Sequence, residues 1–338
     1  MQIRQQGRQT WLFDGPLGII GQAAVAGPRE GQGPLAADFD QIFDNLRLKQ
    51  DSFEKSEQKM GERAARAAIA KAGLTPDEVD VFFAGDLINQ ITPSGFTARS
   101  IGIPFFGLFS ACSTATEALS LASLCVASGA ARRALALASS HTCTAERQFR
   151  YPNEYGSQKP PYSQVTATAA GAALVAAEPA AVKVSAVTVG RVCDERISDP
   201  FQMGAAMAPA FADTVQAHFR ERGVDVDYYD LVLSGDLGRV GQAIAQDLLQ
   251  LQGLSLAQEQ LADCGLLLYG GDKRVFSGGS GCGCAAAVGF GHIYRRISQG
   301  ELRRVLLCAT GALLSPVANQ QKESIPAICH AVALERGE

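Results

Sequence analysis

The feature that most constrains the fold of this chain is an internal repeat. Residues 73–87 match residues 223–237, which begin 150 residues later, at six identical positions and without a gap. Each copy has a glycine suited to a helix end, a short acidic connection and an apolar run that ends in Gly-Asp. An alanine-rich stretch with helical character precedes each copy, at 61–72 and at 209–222. The chain therefore contains a helix–strand unit twice.

A second pair of matching segments follows in the same order. Residues 112–140 align with residues 283–311 at an offset of 171. Both copies are typical of a strand, a turn of small residues, a helix that ends at glycine, and Arg-Arg before another buried strand. This order predicts right-handed βαβ units and an α/β fold with mixed, largely parallel sheets. Two copies predict similar halves about a pseudo-twofold axis, although chance similarity between two βαβ units is an alternative.

The length of 338 residues accommodates two such halves. We place them at 1–181 and 182–338, with a strand at 182–189 opening the second half. Residues 144–163 interleave Tyr, Pro, Gln and Arg with neither a helical nor a strand period. We therefore expect a long inserted loop in the first half, and long loops in compact folds are often functional.

Composition excludes several functional classes. The 30 basic and 34 acidic side chains give a net charge of −4 with no basic cluster, which argues against nucleic acid as a partner. No stretch approaches the roughly 18 apolar residues of a membrane span, and the N-terminus lacks a secretory signal. The nine cysteines are scattered without a CxxC pair and the four histidines lie far apart, so no metal site is expected. These features favour a soluble protein of a reducing, intracellular compartment.

Cys112 is the most distinctive candidate for chemistry. It follows a predicted buried strand at 105–109 and lies in a turn of small residues, 110–113, named here the first elbow. The spacing of Thr114 and Glu117 predicts a capping box, so a helix should begin near Thr114. At a helix N-terminus the dipole lowers the pKa of a thiol and backbone N–H groups can bind an anion. A buried packing role for this cysteine is the alternative.

The duplicated α/β unit, with this cysteine in one half, resembles the thiolase and ketoacyl-synthase superfamily. The other half has a glycine-rich turn at 278–284, named here the second elbow. The resemblance implies that Cys112 matches the cysteine that carries the acyl group, and that two second-half groups, commonly His with Asn or a second His or Cys, complete the site. Here residues 234–239 contain no imidazole, and 279–281 occupy the place of the Asn. Because an unassisted thiol such as Cys282 is a poor proton shuttle, we expect Claisen chemistry to be lost.

Specific strings across the chain resemble the stage V sporulation protein AD family. They lie at 9–11, 26–28, 84–87, 139–141, 145–152, 199–201, 207–209 and 309–316. The resemblance implies a thiolase-like soluble subunit of the spore dipicolinic acid transport complex, acting in sporulation and germination. Such a subunit binds dipicolinic acid or its calcium chelate, without a cofactor, beside membrane-embedded partner subunits. It would be peripheral on the inner membrane of the spore.

Two alternatives bear on this interpretation. An acyltransferase that forms a thioester on Cys112 is the main one, and a pure scaffold with a collapsed pocket is another. Superfamily members usually pair through the sheet edges of their first halves, so the resemblance also implies a homodimer.

Dipicolinate is a flat pyridine with two carboxylates, which backbone N–H groups, arginine, histidine and amides can bind. The ligand-binding candidates lie in the two elbows, in the inserted loop and at strand ends: Cys112, Ser113, Ser280, Gly281, Cys282, Arg147, Gln148, Arg150, Lys159, His141, Asp86, Asn89, Thr310 and Ser315. A core or capping role is the alternative for His141. Asp86 recurs as Asp236, which favours a shared structural turn, although a carboxylate there would suit the calcium chelate. Trp11 and the pair Phe105 and Phe106 are expected in the core.

Overall fold

The computed structural model describes residues 2–149 and 158–337. The strands are β1 Gln2–Gln6, β2 Thr10–Asp14, β3 Gly18–Ala26, β4 Gln41–Ile42, β5 Val81–Gly85, β6 Phe105–Gly107, β7 Arg133–Ser140, β8 Val165–Thr166, β9 Ala169–Ala176, β10 Val182–Thr188, β11 Leu231–Ser234, β12 Leu261–Asp263, β13 Gly279–Ser280, β14 Arg304–Ala312 and β15 Ala327–Arg336. The α-helices are α1 Phe53–Lys71, α2 Thr92–Ile101, α3 Thr114–Ala127, α4 Thr142–Phe149, α5 Met203–Arg222, α6 Gly238–Leu251, α7 Cys264–Tyr269, α8 Cys282–Ala287, α9 Tyr294–Ser298 and α10 Pro316–Gln320. A π-helical turn, Val288–Ile293, joins α8 to α9.

The main sheet consists of two halves with the same strand order. The first half runs β3-β9-β7-β5-β6 and the second runs β10-β15-β14-β11-β12. If the five strands of each half are numbered in chain order, both halves have the spatial order 1-5-4-2-3. In both halves the last three strands are mutually parallel and the other pairings are antiparallel. A single residue pair, Lys183 with Gly18, joins β10 to β3 between the halves. The duplicated α/β fold predicted from the repeats is confirmed.

Helices α3 and α8 form the layer between the two halves. Helix α3 consists almost entirely of small and apolar residues, as expected for a helix buried on all sides, and it contacts strands of both halves. Helix α8 approaches the first half so closely that a Cβ on Gly283 would lie 2.2 Å from the carbonyl oxygen of Ala169. Glycine is therefore required at this position, because any side chain would collide with backbone.

The remaining long helices cover the outer faces. Helices α1 and α2 pack on the first half and helices α5 and α6 on the second, each over its own apolar cluster. Helix α5 begins six residues before the predicted start of 209, with Pro209 inside its first turns. Within the described residues, no helix has the length and apolarity that a membrane span requires.

Two predictions about local structure were wrong. The predicted loop 144–163 begins as helix α4, whose buried Thr144 and Ala145 are too few to give a clear helical period; residues 150–157 lie outside the described part. The predicted buried strand 105–109 is the short edge strand β6, because no other strand of the described residues pairs beyond it.

The outcome for the expected core aromatics is mixed. Phe105 and Trp11 are partly buried and pack against apolar clusters, whereas Phe106 is 61% exposed.

Candidate functional site

The first elbow is a tight turn between β6 and α3. Ala111 has a φ of 47°, in the left-handed region that non-glycine residues rarely adopt. The helix begins at Thr114, as predicted, but the capping box is absent. Instead the Thr114 hydroxyl donates to the carbonyl of Ala111 at 2.7 Å and accepts the N–H of Ser110 at 3.1 Å. The turn holds Cys112 in the interior, where it is 6% exposed.

Cys112 faces the second elbow across the boundary between the halves. Its Sγ lies 3.8 Å from the Oγ of Ser280. The Ser280 hydroxyl donates to Asp236 at 2.9 Å, and the N–H of Gly281 donates to the same carboxylate oxygen at 3.1 Å. The other oxygen of Asp236 accepts the hydroxyl of Thr310 at 2.8 Å. The structure therefore brings Cys112, Ser280, Gly281 and Thr310 together around Asp236, which was noted only as a repeated residue.

The electrostatics at this elbow are opposite to the prediction. Burial raises the pKa of the Cys112 thiol well above its usual value, and the Asp236 carboxylate raises it further. Burial also raises the pKa of Asp236 itself. Burial of the thiol, together with the carboxylate beside it, outweighs the helix dipole, so the predicted lowering of the Cys112 pKa was wrong.

No histidine of the described residues is hydrogen-bonded to Cys112 as a base that could take its proton. Among the hydrogen bonds of the described residues, Cys112 has none to an imidazole. The four histidines bind other groups: His141 binds Leu46, His218 binds Tyr229, His292 binds Asp38, and His330 binds Ser110 and Gly190. Of the four, His330 contacts the first elbow itself, through a 3.4 Å contact with the Ser110 hydroxyl. The site thus has a protonated thiol without an adjacent proton acceptor of the histidine type.

His141 lies at the end of β7, as predicted, but it serves the fold. It is fully buried, its Nε2 bonds to the carbonyl of Leu46 at 2.9 Å, and its Nδ1 accepts the N–H of Cys143 at 3.1 Å. Burial lowers its pKa to about 4. The ring is therefore a neutral anchor with both nitrogens engaged.

The residues at the end of β5 also serve the fold. Asp86 accepts the N–H of Ile88 at 2.8 Å and both the N–H and the hydroxyl of Ser94, at 2.8 and 2.6 Å. Burial raises the pKa of Asp86 to about 6. Asn89 is exposed at the surface of the following turn. Equivalent residues of the repeat thus have different surroundings, since Asp86 closes a turn whereas Asp236 contacts the first elbow.

Two further candidates in the elbows are hydrogen-bonded to backbone, and two others belong to the predicted inserted loop. The Cys282 thiol donates to the carbonyl of Ser139 at 2.9 Å. The Ser113 hydroxyl donates to the carbonyl of Ser110 at 2.7 Å. Gln148 is half-buried on α4, and Arg150 lies outside the described residues.

A cavity of about 570 Å³, named here the wide cavity, lies between α4, β8 and the segment before β13. It is lined by Arg29, Phe53, Thr142, Cys143, Glu146, Arg147, Lys159, Val165, Arg274 and Phe276. Four of these side chains are cationic and one is a carboxylate. The cavity adjoins the second elbow, because Val165 pairs with Gly279, the neighbour of Ser280. Arg147 and Lys159 are among the candidates predicted from the sequence. Arg29 and Arg274, which lie far from them in the chain, are not.

The cations of the wide cavity differ in their partners. Arg147 pairs with Glu54, Lys159 pairs with Glu146 at 2.5 Å, and Arg274 pairs with Asp272 at 2.8 Å. Arg29 is half-buried, and no carboxylate of the described residues lies within ion-pair distance of it. In the same part of the chain, no group of three or more His, Cys, Asp or Glu side chains is arranged to hold a metal ion.

Comparisons with known proteins show which family the chain belongs to. Residues 7–335 match the family described as stage V sporulation protein AD. Stage V sporulation protein AD of Bacillus subtilis (strain 168) is 47% identical over 334 residues, covering 99% of this chain and 98% of that protein. The fold is similar to that of 3-oxoacyl-[acyl-carrier-protein] synthase III from Aquifex aeolicus VF5, with a TM-score of 0.57 and 14% identity over 95% of this chain and 100% of that chain. It is also similar to an OleA variant from Xanthomonas campestris, with a TM-score of 0.63 and 14% identity over 96% and 97%. The chain therefore belongs to the stage V sporulation protein AD family and has a thiolase-like fold.

Proposed function

We propose that the chain binds dipicolinate, free or as its calcium chelate, as a subunit of the spore dipicolinate transport complex beside membrane-embedded partners. The observation that carries the proposal is the wide cavity, where four cationic side chains and one carboxylate face a common space. A flat ligand with two carboxylates needs cationic donors on two sides, and arginine can bind a carboxylate through two hydrogen bonds. Membership of a sporulation family supports a spore ligand.

The wide cavity suits this ligand better than the elbows do. Ser280, Gly281 and Thr310 already donate to Asp236, whose charge would repel a carboxylate. By contrast, the wide cavity combines cations with the rings of Phe53 and Phe276, which can flank a pyridine. Its volume of about 570 Å³ lies within the usual range of small-molecule sites.

The geometry at Cys112 weighs against acyl transfer as the main function. A thiol with a raised pKa is rarely a thiolate at neutral pH, and the thiolate is the nucleophile. We expect mass spectrometry after incubation with acyl-CoA to find Cys112 unmodified. A stable acyl adduct on this cysteine would favour the acyltransferase instead.

Calorimetric titration of the purified chain with dipicolinate, with and without calcium, tests the proposal. We expect saturable binding that Arg147→Gln weakens by at least about tenfold, because a charge-assisted hydrogen bond is lost. Arg132→Gln is the matched control, since Arg132 pairs with Asp80 on the surface and does not line the wide cavity. Absence of binding heat under both conditions, or equal loss in both variants, would refute the proposal.

We also propose that two copies pair through β6, which is the edge strand of the first half. Three large apolar side chains are exposed around this edge: Phe96, Phe106 and Phe109, at 42%, 61% and 51%. An open strand edge with exposed aromatic side chains is a surface that proteins normally cover. Pairing of two β6 strands would cover it in both copies.

A further inference from the structure

A second, smaller cavity of about 260 Å³, named here the narrow chamber, adjoins the wide cavity. It is lined by Pro28, Arg29, Glu30, Gln32, Leu46, Thr142, Thr166, Thr168 and Arg274, of which Arg29, Thr142 and Arg274 also line the wide cavity. The volume corresponds to about eight or nine waters at roughly 30 Å³ each. The narrow chamber can therefore hold a small organic molecule.

Glu30 brings an unsatisfied carboxylate oxygen to the narrow chamber. The residue is 2% exposed, and its Oε1 accepts the N–H of Thr168 at 3.0 Å and the hydroxyl of Tyr269. Its Oε2 is buried without a hydrogen-bond partner. A buried acceptor without a donor is costly, so native structures rarely leave one. The Oε2 atom can accept a hydrogen bond, and a positively charged donor would bind it most strongly.

Arg29 brings the opposite charge to the same chamber. Its guanidinium has no carboxylate of the described residues within ion-pair distance, and this includes the neighbouring Glu30. Burial raises the pKa of the Glu30 carboxyl, and the charge of Arg29 lowers it. The narrow chamber thus presents a carboxyl group and a guanidinium that do not form an ion pair with each other. The buried carboxyl of Glu30 carries the larger desolvation cost, which a hydrogen-bond donor would offset.

We propose that the narrow chamber binds a small zwitterion of the α-amino acid class. Its ammonium group donates to the Oε2 of Glu30, and its carboxylate accepts from Arg29. A dicarboxylate would leave Glu30 unsatisfied and a simple amine would leave Arg29 unpaired, so only a ligand with both charges satisfies the pair. The shared boundary with the wide cavity gives the ligand's side chain access to Phe53 and Phe276. The inference differs from the dipicolinate proposal in its use of Glu30, which does not line the wide cavity, although Arg29 lines both cavities.

Calorimetric titration of the full chain with L-alanine and with L-phenylalanine tests the inference. Propionate and ethylamine are the matched probes, because each keeps one charged group of alanine and lacks the other. We expect saturable binding of at least one amino acid and binding at least about tenfold weaker for propionate and ethylamine.

Variants assign the binding to the narrow chamber. Glu30→Gln keeps one acceptor for Thr168 and Tyr269 but removes the charge. Arg29→Gln changes a half-buried side chain that makes no side-chain hydrogen bond to the described residues. Each should weaken amino-acid binding by at least about tenfold. Arg132→Gln is the control that should leave it unchanged, since Arg132 pairs with Asp80 on the surface and lines neither cavity. Should Glu30→Gln fail to fold, Arg29→Gln alone decides the question.

Two results would overturn the inference. One is the absence of heat from both amino acids, and the other is amino-acid binding that both variants leave unchanged. Dipicolinate titration of the same preparation separates the two proposals. Dipicolinate binding without amino-acid binding rejects the narrow-chamber ligand and keeps the proposed function, whereas amino-acid binding alone does the reverse.

Discussion

Glu117 in helix α3 offers a direct test of the electrostatics in the layer between the halves. Its Oε2 is buried without a hydrogen-bond partner, and burial raises its pKa from 4.5 to about 7. A group whose pKa is raised by folding stabilises the protein below its unfolded pKa, and this contribution is lost as the pH rises through the folded pKa. The wild type should therefore lose stability between pH 4.5 and about pH 7 through this carboxyl.

The magnitude follows from the two pKa values. Their difference corresponds to about 3 kcal/mol when both states are ionised, and partial solvent access reduces this to about 2 kcal/mol. Glu117→Gln keeps the shape and removes the ionisation. We expect the variant to be more stable than the wild type by about 2 kcal/mol at pH 8.5, and by much less at pH 5.

Urea unfolding followed by circular dichroism at pH 5, 6, 7 and 8.5 measures this difference. Glu62→Gln is the matched control, because hydrogen bonds from Gln58 and Lys59 help to lower the pKa of Glu62. That control should be slightly destabilised at pH 8.5, in the opposite direction. A Glu117→Gln difference that is the same at pH 5 and pH 8.5 would show that the buried carboxyl does not carry the cost assigned to it.

Three further predictions concern the elbow, the sheet edge and the packing between halves. Asp236→Asn should lower the pKa of the Cys112 thiol and speed its alkylation by iodoacetamide at pH 8, measured by peptide mass spectrometry; an unchanged rate would contradict the role of the carboxylate. In sedimentation experiments the wild type should be a dimer and Phe106→Lys a monomer, whereas a monomeric wild type would refute pairing through β6. Gly283→Ala should destabilise the fold by about 3 kcal/mol because its Cβ meets backbone, whereas Gly95→Ala, which has open space, should be neutral or stabilising by up to about 1 kcal/mol in urea unfolding. Equal effects of the two glycine variants would refute the close-approach argument.

The fold was predictable because its signals are local and occur twice. The repeat containing Gly73 and its counterpart containing Gly223 marks the same helix end before the same strand in each half. The small-residue turn before Thr114 marks a helix start, and α3 begins there. Such features depend on neighbours in the sequence, so no alignment or partner is needed to interpret them.

The candidate site was less predictable because it depends on contacts between distant segments. Asp236 lies next to Cys112 only because the second half folds against the first, and the burial and the carboxylate contact that result raise the thiol pKa, opposite to the shift that the local helix would cause. Arg29 and Arg274 meet at one cavity from segments about 245 residues apart in the chain. The exposure of Phe106 likewise follows from the position of β6 at the sheet edge, which its own residues do not indicate.

The two aspartates of the repeat have a consequence for how the halves hold together. All the hydrogen bonds of Asp86 described above come from donors of its own half, so they do not depend on how the other half packs. Asp236 accepts hydrogen bonds from Ser280 and Thr310, which belong to two segments of the second half, and it contacts the Cys112 thiol of the first half. One carboxylate therefore links two segments of the second half to the first half, so a change in the packing of the halves would alter its hydrogen bonds and the environment of the Cys112 thiol.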